Sequence, residues 1–527
     1  MDIVDAIKTN IGDRNYEGQN KNLQLWNAWY KGYEKNFHKY YVLSSLKKLV
    51  ERTRKHLPTA KFVCEKWANL LINEKTDVKM NANDKIILNK IFDRTHFWKK
   101  ANHLVEKTFA LGIGAFVVSV KGIQVDNVGN IVNIDAKKVN SKVKIECINA
   151  MKIYPITIED GVVTECAFVS IGTQKSYITL HLIENGKYII KTIYFRGKDF
   201  NDKLEETTFK TNSEVSWFQI IYPNTVDNED VDDPLGIPVF ANGIDVMKSI
   251  DVKYDVFDAE FKQGKKRTYI SAALSRIDKE TGDSIATLEG TEEEYFYVPQ
   301  DESGNNLIST DASPLRTMDI ITGINMDLSY FGYICGFGKD YLKFSTDSGS
   351  GRPLQTATSV ISSQSELYQS IKKNEIVIED ALLGLVKAII YASNTFTLDK
   401  FSDNAEEDIG IQFDDSIFED KESEKDSARK DIALGIMSEK EYRVKFYAED
   451  EDTANKMLLE NPSYISKKIN DFLPSLQAKV ISPEVFIDLV FGDNYSGKNE
   501  LVNYINENLS KGISAEEMMA NGFGFGA

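Results

Sequence analysis

Beyond Pro353 the chain runs without proline as far as Pro462, and apolar residues recur at Val360, Leu367, Ile371, Ile378, Leu382, Leu385 and Ile389. Steps of three, four and seven trace one face of a helix. From Thr356 to Ser393 that helix would be about 57 Å long at 1.5 Å per residue, enough to run between domains. Two helices are predicted nearer the N-terminus. One opens at Pro58 and carries Phe62, Val63, Trp67, Leu70 and Leu71. The other starts near Asn83–Asp84, carries Ile87, Ile91, Trp98, Val105 and Phe109, and ends at Gly112–Gly114. Residues 115–222 read as β-rich; the clearest hairpin is ITLHLIENGKYIIKTIYF, two β-branched runs about Asn185-Gly186.

Helical spacing returns after DNEDVDDPLG, with Ile244, Met247, Ile250, Tyr254, Phe257 and Phe261 on one stripe and a stop at Gly264. Asp251, Asp255 and Asp258 lie on the flank of that stripe. Residues 265–316 read as a compact α/β insertion, with strand-like RTYISA and EYFYVP. A further helix carries Ile321, Ile324, Leu328, Phe331 and Cys335. The class is therefore α+β and mainly helical.

A chain of 527 residues with 42% hydrophobic content builds several cores rather than one. Its formal charge of −17 argues against a protein that wraps tightly around nucleic acid. Residues 399–426 hold twelve acids against three bases, the pattern of a solvated face. The four cysteines (Cys64, Cys147, Cys166, Cys335) are scattered, which speaks against a disulfide framework or structural zinc. The polar N-terminus is unlike a signal peptide. The longest apolar run, Ala110 to Val118, is far below the roughly 18 residues of a membrane helix, so no membrane partner is expected.

Candidate chemistry is sparse. The stretch STDSGSGRPL (345–354) looks at first like a phosphate cradle, but Arg352-Pro353 follows Gly351 where a P-loop needs Lys and then Ser/Thr. Gly112-x-Gly114 lacks the third glycine of a dinucleotide site, and the five histidines form no His-Glu-x-x-His. Asp227, Glu229, Asp230, Asp232 and Asp233 resemble a cation loop but lack the central glycine and closing glutamate of an EF-hand. A metal-dependent nuclease built on residues 227–233 is one rival reading. A solvated acidic loop that caps the next helix is the simpler one. No cofactor and no catalytic residue are assigned.

The serial order of LWNAWYKGYEKNFHKYY, AKFVCEKWANLLINEK, DPLGIPVFANGIDVMKSIDVKYDVFDAEFKQGKKRTYIS, GFGKDYLKFS and TATSVISSQSELYQSIKKNEIVIEDALLGLV resembles portal proteins of tailed bacteriophages. The similarity is to the type common in siphophages and prophages of Gram-positive hosts, and it spans about residues 23–460. It implies a non-enzymatic structural protein of the virion, assembled in the host cytoplasm into a homo-oligomeric ring of about twelve copies at one capsid vertex. Double-stranded DNA would pass through its centre, and its partners would be the large terminase subunit, head-completion or adaptor proteins, and major capsid and scaffolding proteins. A non-portal virion adaptor is the other rival. It would lack the helix–insertion–helix–loop–long-helix order of 238–393.

The resemblance divides the chain into an N-terminal arm and wing start (1–57), a wing with a β-rich part (58–237), stem helix 1 (238–264), a clip (265–316) and stem helix 2 (317–339). A tunnel loop (340–356), a long helix (357–394), and a crown with a C-terminal extension (395–527) follow. The DNA-facing tunnel loop would be Ser345, Thr346, Asp347, Ser348, Gly349, Ser350, Gly351 and Arg352, whose small residues offer a moving polyanion little grip. Asp251, Asp255 and Asp258 would form a repelling channel face or pair with a neighbouring subunit. Gly332 and Gly336 would pack stem against stem, so that Gly332→Leu blocks ring closure. Lys265, Lys266, Arg267, Glu292, Glu293 and Glu294 would form the docking region of the clip.

Overall fold

The structure is a computed structural model. It describes the chain except residues 1, 44–47, 124–125, 127–128, 130–140, 229–234, 265, 272–275, 278–279, 281–283, 286–294, 299–307, 312–313, 339–340, 345–356, 408, 414–420, 435, 448–450, 460–461, 493–497, 512 and 514–527. It divides into two compact units, Met1–Phe418 and Glu419–Ala527.

In the first unit, short helices α1 (Ile3–Asn10), α2 (Leu23–Tyr30) and α3 (Lys35–His38) lead into an antiparallel hairpin, β1 (Lys39–Leu43) and β2 (Leu49–Thr53). Then come α4 (Thr59–Leu71), β3 (Asp77–Lys79), α5 (Ala82–Thr95) and α6 (Phe97–Leu111). Pro58 is the residue just outside α4 rather than its first helical one. The sequence pattern suggests one helix where α5 and α6 stand. The break falls at His96, whose left-handed backbone (φ 50°) redirects the chain. Phe92 stacks on Phe97 across the break, at 4.3 Å between ring centroids. A straight helix would separate those rings, so aromatic packing offsets the lost helical bonds.

The β-rich region is two antiparallel sheets. Strands β4 (Gly114–Lys121), β5 (Lys142–Asn149) and β11 (Phe218–Ile221) form one, in the order β11-β4-β5. Strands β6 (Ile153–Glu159), β7 (Val162–Ser170), β8 (Lys175–Glu184), β9 (Lys187–Arg196) and β10 (Lys203–Lys210) form the other, in the order β10-β9-β8-β7-β6. The predicted Asn185-Gly186 turn joins β8 to β9, with φ of 52° and 75° as a two-residue turn of this type requires. One face of the five-stranded sheet is closed by α1, where Ala6, Ile7 and Ile11 join Ile178, Leu180 and Ile193 in a small core. Arg14 locks the segment after α1 by donating from Nε to the buried Glu165 at 2.8 Å.

Helix α7 (Ile244–Gln263) follows, and then strands β12 (Arg267–Ser271), β13 (Arg276–Ile277), β14 (Ser284–Ile285), β15 (Tyr295–Val298) and β16 (Ile308–Asp311). Among its described residues the 265–316 insertion holds strands and loops and no helix, so only the β part of the predicted α/β insertion is seen. Helix α8 (Thr317–Ile334) runs back, and the 40-residue α9 (Ala357–Phe396) extends the predicted long helix by three residues at its C-terminal end. Its buried Leu367, Ile371, Ile378, Leu382, Leu385 and Ile389 are the positions that periodicity singled out. They join a core with Trp29, Trp67, Trp217, Phe109 and Phe116. Strand β17 (Gly410–Gln412) pairs with β3.

The second unit is helical: α10 (Lys421–Ala433), α11 (Glu439–Tyr447), α12 (Glu451–Leu459), α13 (Pro462–Gln477), α14 (Pro483–Phe491) and α15 (Lys498–Ser510). Its last three helices enclose their own core of Ile469, Leu473, Leu476, Phe486, Ile487, Val490 and Ile505.

Candidate functional site

Helices α7 and α8 are the elements on which the predicted site residues converge. They pack side by side, and polar pairs fix their register. Lys253 Nζ meets Asp327 Oδ2 at 2.5 Å, and Arg316 donates to both oxygens of Glu260, at 3.3 and 2.8 Å. The residues that enter the 345–356 loop are held by both helices. Phe344 lies against Tyr254 and Phe257, and its N–H donates to Asn325 Oδ1 at 2.7 Å.

The three aspartates do share one flank of α7, but each already has a partner within the chain. Asp251 is buried and accepts from the Leu57 N–H at 2.9 Å, with His38 Nε2 at 3.3 Å. Asp255 accepts from Tyr40 Oη at 3.2 Å and the Lys55 N–H at 3.1 Å. Asp258 binds Lys262 and Lys55, at 2.5 and 2.6 Å, and these contacts hold its carboxyl below the usual range. Within the chain the carboxylates form a ladder that straps residues 38–57, with their β1–β2 hairpin, onto α7. Three acids at helical spacing are legible in sequence. Apart from Lys262, their partners lie some 200 positions away and are not.

Burial raises the Asp251 carboxyl to about 6, because the nearby His38 and Arg54 and the Leu57 N–H only partly offset its lost hydration. The neighbouring His56 is pulled the other way, by burial first and by His38 second.

The glycines also act within the chain. Gly332 is buried, and a Cβ there would stand 3.0 Å from the Gly338 carbonyl oxygen and 3.5 Å from Leu342. Gly336 lies beyond the end of α8 with φ 82°, in a conformation that L side chains rarely adopt, and a Cβ there would sit 3.2 Å from Trp67. Within the chain, the turn after α8 packs on Gly332, and α4 and α9 pack on Gly336. Gly332→Leu is accordingly expected to lower the stability of the single chain by about 1–3 kcal/mol through overpacking. Thermal melting at concentrations where the protein is monomeric checks this. An unchanged melting point with lost assembly would restore the intersubunit role.

Other expected sites are placed as follows. Ser345 to Arg352, Lys265 and Glu292 to Glu294 lie outside the described residues. Lys266 is exposed, and Arg267 opens β12 opposite Asp311. Within the acidic loop, Asp227 is buried and accepts from Asn20 Nδ2 at 3.0 Å, while 229–234 lie outside the described residues. Among the described residues no three His, Cys, Asp or Glu side chains gather as a metal set. The four thiols are free, and burial raises all of them. No helix among the described residues is long and apolar enough to cross a membrane.

Sequence periodicity had no reason to flag the outer face of α8. Met318, Met326, Tyr330 and Tyr333 recur there every three to eight residues, and Met326 is 77% and Tyr330 58% exposed. The opposite face, with Ile324, Leu328 and Phe331, is buried. An exposed apolar stripe of this length on a protein surface marks an interaction face.

The model of the phage portal proteins described as SPP1 Gp6-like matches residues 13–463. No curated relative matches the chain. Among solved structures, a chain from the neck of a native gene transfer agent particle computed with C12 symmetry is similar at TM-score 0.40 and 9% identity, over 84% of this chain and 97% of that one. A chain from the virion of a native gene transfer agent particle is similar at TM-score 0.39 and 9% identity, with the same coverage.

Proposed function

Because the chain belongs to the SPP1 Gp6-like family of phage portal proteins, a structural family rather than an enzymatic one, we propose that copies of it close into a ring of about twelve subunits that surrounds a DNA channel at a capsid vertex. The family match carries this reading. The unpartnered stripe on α8 supports it, together with Val252 and Val256 exposed on the outer face of α7. A monomer would leave both helices half wet, whereas a neighbouring copy rotated about a common axis would cover them.

In this reading α7 and α8 form the stem, and residues 265–316 form the clip that meets the large terminase subunit and later the head-completion proteins. Ser345 to Arg352 form the tunnel loop against the DNA. Residues 58–237 are the wing, and the chain from 395 onward forms the crown and a C-terminal extension. The slippery wall then rests on the small residues of that loop and on the overall charge of −17, since the α7 aspartates are engaged by their own chain, Asp258 by Lys55 and Lys262.

Native mass spectrometry of the purified protein, alone and with scaffold, tests the reading. The wild type is expected to form closed rings. Met326→Glu combined with Tyr330→Glu is expected to leave monomers with unchanged melting, because both side chains are exposed in the single chain. Wild-type monomers under both conditions would refute the ring. Rings formed by the double variant would refute the stripe as its seam.

A further inference from the structure

A ring of more than two copies about one axis cannot be closed by a patch that meets itself: each interface joins two unlike surfaces, one from each flank of the subunit. The exposed stripe of α8 therefore needs an apolar counterpart elsewhere on the same chain. The β1–β2 hairpin carries one. Tyr40 of β1 turns inward and donates to Asp255 of α7, so by strand alternation Tyr41 and Leu43 point away from that helix. Across the hairpin Leu49 stands opposite Leu43, and Glu51 opposite Tyr41, on the same outer face. Tyr41 is 64%, Leu43 62% and Leu49 72% exposed. A two-stranded hairpin is marginal in water by itself, and this one leaves three large side chains wet.

The place of the hairpin on α7 suits such a role. Asp251, Asp255 and Asp258, which hold the hairpin segment, lie on one flank of the helix. Lys253 and Glu260, which hold α8 through Asp327 and Arg316, lie about 180° round it at 100° per residue. Helix α7 thus carries the hairpin on one side and α8 on the other, one surface for the copy before and one for the copy after. The dimensions agree as well. The Tyr41 and Leu43 rungs are about 7 Å apart, and Met326 and Tyr330 of α8 are one turn, about 6 Å, apart. Lys39 and Glu51 on the outer face pair with each other at 2.6 Å, so they bring no unpaired charge to an apolar partner.

Resting on the ring reading above, we propose that the outer face of the β1–β2 hairpin is the second half of the seam: Tyr41, Leu43 and Leu49 of one copy seat on Met326 and Tyr330 of the next. The aspartate ladder then braces the hairpin against α7, so that a fixed element rather than a loose one carries the contact between neighbours.

Native mass spectrometry of the full-length protein tests this, under the condition, alone or with scaffold, in which the wild type closes rings. Leu43→Glu with Leu49→Glu is expected to lower the ring yield at least tenfold with unchanged melting, because both side chains are exposed in the single chain. Leu43→Lys with Leu49→Lys should lower it equally. Adding Met326→Glu and Tyr330→Glu to that lysine variant should return at least half of the wild-type yield, through opposite charge across the seam. A mixture of the Leu43→Glu/Leu49→Glu and Met326→Glu/Tyr330→Glu variants should give dimers and nothing larger, since one intact hairpin then meets one intact stripe. Rings at wild-type yield from the hairpin variants would overturn the proposal and leave the ring standing. A loss that the stripe substitutions do not rescue, or a mixture that stays monomeric, would show that hairpin and stripe are not each other's partner and overturn it as well. Wild-type monomers throughout would remove the ring itself, and the pairing with it.

Discussion

Replacing Trp67 by alanine is expected to cost about 3–5 kcal/mol of stability, the range for deleting a fully buried large aromatic side chain. Trp67 is 1% exposed and rises from α4 into the turn after α8. Its ring lies 5.6 Å from that of Phe109 and 5.1 Å from that of Phe337. Its Nε1 donates to the Cys335 carbonyl oxygen at 3.0 Å. Gly336 follows at once, where a Cβ would crowd Trp67 and Ser370 at 3.1–3.3 Å. One side chain therefore joins α4, α6 and the end of α8 close to the segment that leads toward residues 345–356. Trp67→Phe should separate the two contributions. It keeps much of the packing but strands a buried carbonyl, at a cost of about 1–3 kcal/mol. Urea unfolding followed by circular dichroism reads both variants. A loss under about 1 kcal/mol for the alanine variant would show that this junction is not built as described.

Asp251→Leu is expected to be the next most damaging change, at about 3 kcal/mol, since the Leu57 N–H and the His38 ring both lose their acceptor in a dry interior. Limited proteolysis should then cut the 39–53 hairpin early, because the ties from Asp255 and Asp258 alone would have to hold residues 38–57 where the buried Asp251 contacts are lost. Asp251→Asn keeps an acceptor for the Leu57 N–H and should fold nearly as well as the parent. The two differ in pH response. A carboxyl raised to about 6 in the folded chain, against about 3.9 when unfolded, binds its proton more tightly in the native state. Its stabilising contribution is therefore complete below about pH 4 and is lost as pH rises through 6. Unfolding free energies measured between pH 4 and 7 should show that slope in the parent and a shallower one in Asp251→Asn. Identical slopes would remove Asp251 from the pH response.

The helices of this protein were legible because their burial is one-sided. Ile244, Met247 and Ile250, like Leu367 to Ile389, face a core at helical spacing, and that spacing is written in the chain. The break at His96 was not, since the apolar period continues across it and the packing of Phe92 on Phe97 and Trp98 in three dimensions offsets the bend. The site divides in the same way. Three aspartates on one flank of α7 are visible as a pattern. Whether they face a channel, a neighbour or their own chain depends on a segment some 200 residues upstream.

Local order thus followed from the chain alone: the α+β class, the helix–insertion–helix–loop–long-helix order that carries the family likeness, and the absence of a nucleotide-binding motif. These are short-range properties of periodicity, turn chemistry and spacing. The tertiary structure decided which polar groups neutralise one another, which glycines are walled in by their own subunit, and which face of α8 is left without a cover. Those outcomes depend on contacts between distant segments, and local periodicity and spacing do not show which distant parts of a chain will meet.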